Sequence, residues 1–128
     1  RAPQWTGGGM VFAVKPREYT IKLNKKERRL ALKSALTSRV AENKFIVLDE
    51  LKLDEIKTKA MKNVLDNVKA PKALVVMAEK NENVIKSANN LEGVKTALVS
   101  TINVYDILKY NTVVTTKAAV AAIEEVYA

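Results

Sequence analysis

Four short apolar runs, separated from one another by helical patterns, constrain this chain more than any other feature. They are Phe45–Leu48, Ala73–Met77, Ala97–Val99 and Thr112–Thr115. Each is rich in β-branched residues and has no polar alternation, which suits strands covered on both faces of a parallel sheet. Between them lie residues at helical spacing. Thr58 is placed to cap a helix carrying Ala60, Met61, Val64, Leu65 and Val68. A second holds Val84, Ile85 and Ala88 and closes at Leu91-Glu92-Gly93. A third, of about two turns, holds Val104, Ile107 and Leu108. The last runs from Thr116 through Ala119, Val120, Ile123 and Val126. Strand and helix in repeated alternation predict an α/β domain with right-handed crossovers. The order of strands in the sheet is not encoded at this level.

Ahead of the first run the chain changes character. Residues 24–42 predict a basic helix, started by Asn24 with Glu27 three residues on and ended at Asn43. Ala31, Leu32, Ala35 and Leu36 form its apolar stripe. Lys26, Arg29 and Lys33 share a flanking face, while Arg28 falls toward the apolar side. Lys25 and Lys26 sit where the helix dipole disfavours cations, so helix stability does not account for them; phosphates packed around these turns would.

Residues 1–23 predict an extended, irregular arm, because Pro3 and Pro16 block helix and Gly7-Gly8-Gly9 loosens the backbone. Trp5, the only tryptophan, either stacks on an unpaired base or pins the arm to the body. The glycines offer backbone N–H groups for close approach to phosphate. They are no nucleotide fingerprint, since no strand precedes them and no helix opens on them.

Charge follows the same division. Residues 1–33 hold nine Lys or Arg and two Glu, a net of +7, out of 22 basic and 14 acidic residues in the chain. The remaining 13 basic and 12 acidic residues leave the body near neutral. A neutral globule with a cationic end suits a polyanionic partner. Arg1, Lys15, Arg17, Lys22, Lys25, Lys26, Arg29 and Lys33 are the expected phosphate contacts, with Lys57 and Lys59 in second rank. Lys72 reads as plain surface.

With neither cysteine nor histidine present, thiol chemistry, disulfides and imidazole bases are excluded. No cofactor, metal or small-molecule substrate is expected, and no apolar run approaches a membrane span. One enzyme-like alternative exists. The strand ends offer Asp49-Glu50, Glu79, Ser100-Thr101 and Thr115-Thr116-Lys117, a set that loosely resembles a magnesium-binding receiver domain. Such residues more commonly cap the next helix and face water. A generic nucleic-acid-binding domain is the other alternative.

Many short motifs in order then bear on the choice. They are Arg1-Ala2-Pro3-Gln4-Trp5 with Gly7-Gly8-Gly9, Phe12, Lys15-Pro16-Arg17, Asn24-Lys25-Lys26, and Arg29 to Leu36. Ile46-Val47-Leu48-Asp49, Lys57-Thr58-Lys59, Glu79 to Asn83, Asn90-Leu91, Asn103-Val104-Tyr105-Asp106 and Glu124-Glu125 follow. Across its whole length the chain resembles the universal large-subunit ribosomal protein four in its bacterial form. The resemblance implies a three-layer α/β/α body with a four-stranded parallel sheet over residues 24–128, preceded by the arm. It implies a cytoplasmic, non-catalytic ribosomal protein that binds large-subunit ribosomal RNA and neighbouring ribosomal proteins. Residues 1–23 would be the returning limb of a loop that reaches the nascent-peptide exit tunnel. The loop tip, a strand pair and a long helix would precede Arg1, so the chain is expected to be a fragment. Some members also bind their own messenger leader RNA.

Overall fold

The computed structural model describes residues 1–127. Its helices and strands begin only at Lys25. Helix α1 spans Lys25–Ala41, followed by β1 (Phe45–Leu48), α2 (Thr58–Asn67), β2 (Ala73–Met77), α3 (Glu82–Ala88) and β3 (Lys95–Leu98). A 3₁₀ turn over Val99–Thr101, then α4 (Val104–Lys109), β4 (Thr112–Thr116) and α5 (Lys117–Tyr127) complete the chain. The four strands form one parallel sheet in the order β1-β4-β2-β3.

Side-chain alternation along the two inner strands divides the core in two. Leu74 and Val76 of β2 and Val113 of β4 face α1, α4 and α5, packing with Leu32, Ala35, Ile107 and Ala119. Ala73, Val75, Met77 and Val114 face the other way, onto Met61 and Leu65 of α2 and Val84 and Ala88 of α3. The result is three layers, with helices on both faces of the sheet.

Besides the helix through Val84 and Ile85, which ends at Ala88 rather than at Leu91-Glu92-Gly93, two sequence expectations shift. The third strand is Lys95–Leu98 rather than Ala97–Val99, with Val99 already in the 3₁₀ turn. It lies at the sheet edge, where one flank meets water, so Lys95 and Thr96 can belong to it. Coverage on both faces likewise holds in full only for β2; at the opposite edge Val47 is exposed. The second shift concerns Thr58, which is the first helical residue of α2, while Lys57 occupies the cap position without a side-chain cap bond.

Helix α1 ends as sharply as it starts. Asn43 adopts φ 56°, its N–H donates to Val40 O at 3.0 Å, and the Lys44 N–H donates to Arg39 O at 2.9 Å. That pair of bonds is a Schellman closure, with asparagine in the left-handed position usually held by glycine. It turns the chain directly from the basic helix into β1.

Candidate nucleic-acid interface

At the amino end, residues 1–9 close on themselves. The Trp5 N–H donates to Ala2 O at 3.1 Å, Gly8 N–H to Trp5 O at 2.8 Å and Gly9 N–H to Arg1 O at 3.4 Å. A Cβ on Gly8 would lie 2.1 Å from Ala2 O, so only glycine fits there. The amides of Gly8 and Gly9 are thus used inside the turn and are not presented to a ligand. Gly7, at φ 69°, supplies the left-handed corner. Trp5 is 66% exposed, so the structure does not seat its ring in the body as a pin.

From Met10 to Leu23 every residue is exposed and none belongs to a helix or strand. Lys15, Arg17 and Lys22 lie along this stretch. The Arg17 guanidinium stands over the Tyr19 ring, 4.4 Å from its centroid, an arrangement that leaves the charge free while ordering the side chain. Tyr19 was not singled out from sequence; an Arg-x-Tyr spacing in extended chain, which puts both on one side, is the signal that could have found it.

In α1 the Asn24 N–H donates to Glu27 Oε2 at 3.1 Å, and Asn24 O accepts the Arg28 N–H at 3.1 Å. Glu27 is thereby committed to the cap. Lys25, Lys26, Arg28, Arg29 and Lys33 are all exposed, on a helix whose buried residues are Leu32, Ala35 and Arg39. Arg28 continues the spacing of that buried row, at 28, 32, 35 and 39. It stays in water because the first turns of α1 overhang the body.

Under the overhang lies a groove of ≈ 670 Å³. Leu23, Ala31, Leu32, Ile102, Val104 and Tyr127 give it apolar walls, Asn103 adds one polar side chain, and Lys25, Arg28 and Arg29 stand at its rim. Sequence reasoning did not find it, because its walls come from segments seventy or more residues apart.

The ion pairs separate the two parts of the chain. All eight among the described residues draw their cations from Arg39, Lys44, Lys52, Lys57, Lys80, Lys86, Lys95 and Lys117. Not one of the nine cations in residues 1–33 takes part. Lys57, a second-rank candidate, is paired with Glu55, whereas Lys59 is exposed and forms no ion pair.

Arg39 has a different task from its neighbours on the helix. It is buried, its Nε donates to Ile107 O and its Nη2 to Leu108 O, both at 3.0 Å, and its Nη1 meets Glu42 Oε2 at 2.9 Å. It therefore ties α1 to the carbonyl end of α4. Glu42 also takes the Lys44 ammonium and the Ser38 hydroxyl, in that order the main reasons its carboxyl titrates below the usual range. At the start of α4, Asp106 is buried. It accepts from Lys95 Nζ at 2.6 Å and Asn103 Nδ2 at 2.9 Å, and that bond raises the Lys95 pKa above its ordinary value.

The strand-end alternative does assemble in part. Asp49, Glu50, Glu79 and Thr116 line one open depression of ≈ 480 Å³. Thr115 is buried, and Ser100 and Thr101 lie in the 3₁₀ turn, outside that lining. Lys117 is paired with Asp49 and Lys52 with Glu50. Among the described residues no group of three or more carboxylates is placed to hold a metal. Nor is any helix among them long and apolar enough to cross a membrane.

Comparison with known proteins agrees with the ordered motifs. The chain is 66% identical over 128 residues to the large ribosomal subunit protein uL4 of Agathobacter rectalis. It is 65% identical to that of Alkaliphilus oremlandii over 129 residues and 63% to that of Lachnoclostridium phytofermentans over 128. In each case all of this chain is covered, and it spans 62% of the relative's length. The sequence signature of the ribosomal protein L4/L1 family runs through residues 1–126, arm and body alike, and on that match the chain belongs to this family.

Proposed function

We propose that this chain is a structural, non-catalytic constituent of the large ribosomal subunit in the cytoplasm, and that it binds ribosomal RNA through its arm and α1. The observation that carries the reading is the unpaired state of nine cations. Residues 1–33 hold a net +7 with no ion pair to carboxylates, while eight of the thirteen cations beyond them are paired. A surface that leaves so many like charges uncompensated is matched to phosphate. The relatives named above are large-subunit proteins, which supports the ribosome as the setting.

Arg1, Lys15, Arg17, Lys22, Lys25, Lys26, Arg29 and Lys33 are the phosphate contacts in this reading, with Arg28 added from its place at the groove rim. Trp5 offers an open ring for stacking, carried on the turn that the Gly8 and Gly9 amides close. Backbone and shape contacts dominate, as expected for folded RNA. The arm then extends into the subunit toward the exit tunnel, and neighbouring ribosomal proteins cover parts of the body. Binding to the messenger leader RNA of its own operon would use the same cations. The test is competition at fixed salt between a large-subunit ribosomal RNA fragment and random RNA of equal length. The reading expects the ribosomal fragment to win by a wide margin, since the specificity ratio is the informative quantity. Equal competition would leave only a generic polyanion binder.

A further inference from the structure

We propose that the groove between α1, the start of α4 and the end of α5 takes one unstacked RNA base. Its flanking phosphates would lie on Lys25, Arg28 and Arg29. This rests on the RNA-binding reading above and adds a subsite to it.

The argument begins with the walls. Leu32, Ile102, Val104 and Tyr127 enclose space within the range of small-ligand sites, ≈ 670 Å³. The polar groups among them are already engaged. Asn103 accepts the Asp106 N–H at 2.8 Å through Oδ1 and donates to Asp106 through Nδ2, and the Tyr127 hydroxyl donates to Val99 O at 2.9 Å. The groove can therefore stack a base but has little with which to read its edge. Any of the four bases fits such chemistry, and a sugar-phosphate without a base does not.

The rim selects the occupant. Arg28 and Arg29 present planar guanidinium groups, which stack on base faces as well as binding phosphate. Neither they nor Lys25 has a carboxylate partner, and Glu27, the acid within their own turn, is held by the cap. Leu23 ends the arm and also forms part of the groove wall. A strand of RNA lying along Lys15, Arg17 and Lys22 thus reaches the groove without leaving the cationic path. A protein segment would meet the same rim, but three cations without a carboxylate partner, in line with those of the arm, match the phosphates that flank a base.

The experiment uses the whole chain carrying Trp5→Ala, Phe12→Ala, Tyr19→Ala and Tyr105→Ala, which removes the exposed rings able to stack a base elsewhere. Its affinity is measured for a short oligoadenylate and for an abasic ribose-phosphate oligomer of equal length and charge. The oligoadenylate is expected to bind roughly tenfold more tightly, as one stacked base would give. Ala31→Gln puts a polar side chain into the groove from an exposed helical position without changing charge. It should bring that ratio close to one and leave the salt dependence as it was. Val104→Thr, a change of shape by almost nothing, should move the ratio in the same direction. A ratio that survives both substitutions overturns the proposal. So does a pair of substitutions that weakens only the binding of a leucine–glutamate amphipathic helix, which would make the occupant a protein segment. If Lys25→Gln with Arg28→Gln fails to change the salt dependence for either oligomer, the RNA reading of this surface falls together with the subsite.

Discussion

Arg29 and Arg39 lie on one helix and should respond to the same substitution in opposite ways. Arg39→Ala removes the donors to Ile107 O and Leu108 O and the partner of Glu42. Leaving a buried acceptor unmade costs about 1–3 kcal/mol. Ile107 O bears the full cost and Leu108 O, partly reached by water, bears less, so the expected loss is ~2–4 kcal/mol. For a body of this size that lowers Tm by on the order of 10–20 °C. Arg29→Ala removes an exposed side chain with no ion pair and should stay within about 0.5 kcal/mol of the parent. In the proposed RNA interface its loss should instead reduce the log–log salt slope by roughly 0.7–0.9, the share of one phosphate contact. Urea unfolding followed by circular dichroism, with the m-value checked for constancy, measures the first quantity. Filter binding against salt, at a temperature where both variants are folded, measures the second. If Arg39→Ala costs under about 0.5 kcal/mol, well below any unmade buried hydrogen bond, the tie between α1 and α4 is not what holds the helix in place. If Arg29→Ala destabilises the fold as much as Arg39→Ala, the division between a binding end and an anchoring end is wrong.

Three further outcomes follow from the same structure. Replacing Lys15, Arg17, Lys22, Lys25 and Lys26 together by Gln should flatten the salt slope for ribosomal RNA by roughly 3.5–4.5, at 0.7–0.9 per contact, without lowering Tm; point changes are preferable to deleting residues 1–33, because Leu32 is in the core. The Glu42 carboxyl titrates below its usual value when folded, so its contribution is present above the unfolded carboxylate pKa and is lost as pH falls through the depressed folded one. Glu42→Gln should therefore weaken the acid-side fall in stability, seen as a shallower loss of Tm between neutral and acidic buffer. Asp106→Ala leaves Lys95 and Asn103 without their shared acceptor and removes a buried hydrogen-bonded group; a loss of roughly 2–3 kcal/mol in urea unfolding is expected, and a value near zero would mean that the pair is dispensable.

The β-branched runs located β2 and β4, inner strands with apolar side chains toward both faces, and also β1, an edge strand that is apolar all the same. The same rule misplaced β3 by two residues, since an edge strand accepts Lys95 and Thr96 and the rule does not know which strand is at the edge. Strand order was illegible for a related reason: crossover lengths do not say that β4 inserts between β1 and β2. At the candidate interface, the sum of charges was readable in full, since it needs only composition along the chain. Its pairing was not, because Arg39 and Arg29 look alike until a packed α4 distinguishes them. The row at 28, 32, 35 and 39 was the available clue to a buried arginine, yet a cation on such a row is ordinarily taken for surface. Tyr127 and Leu23 meet across the groove only after the whole sheet is built.

The overhang of α1 gives its first turn a stability of its own. Lys25 and Arg28 face the body only across the groove, so that turn is held by the Glu27 cap and by the helix it continues, and adjacent ammonium groups push against it. Its amides should exchange with solvent by local fraying, long before the amides around Leu32 and Ala35 do so by global unfolding. Polyanions reverse the sign of the local field, so engagement would be recorded first as slowed exchange at residues 28 and 29, in a segment whose opening leaves the rest of the molecule untouched.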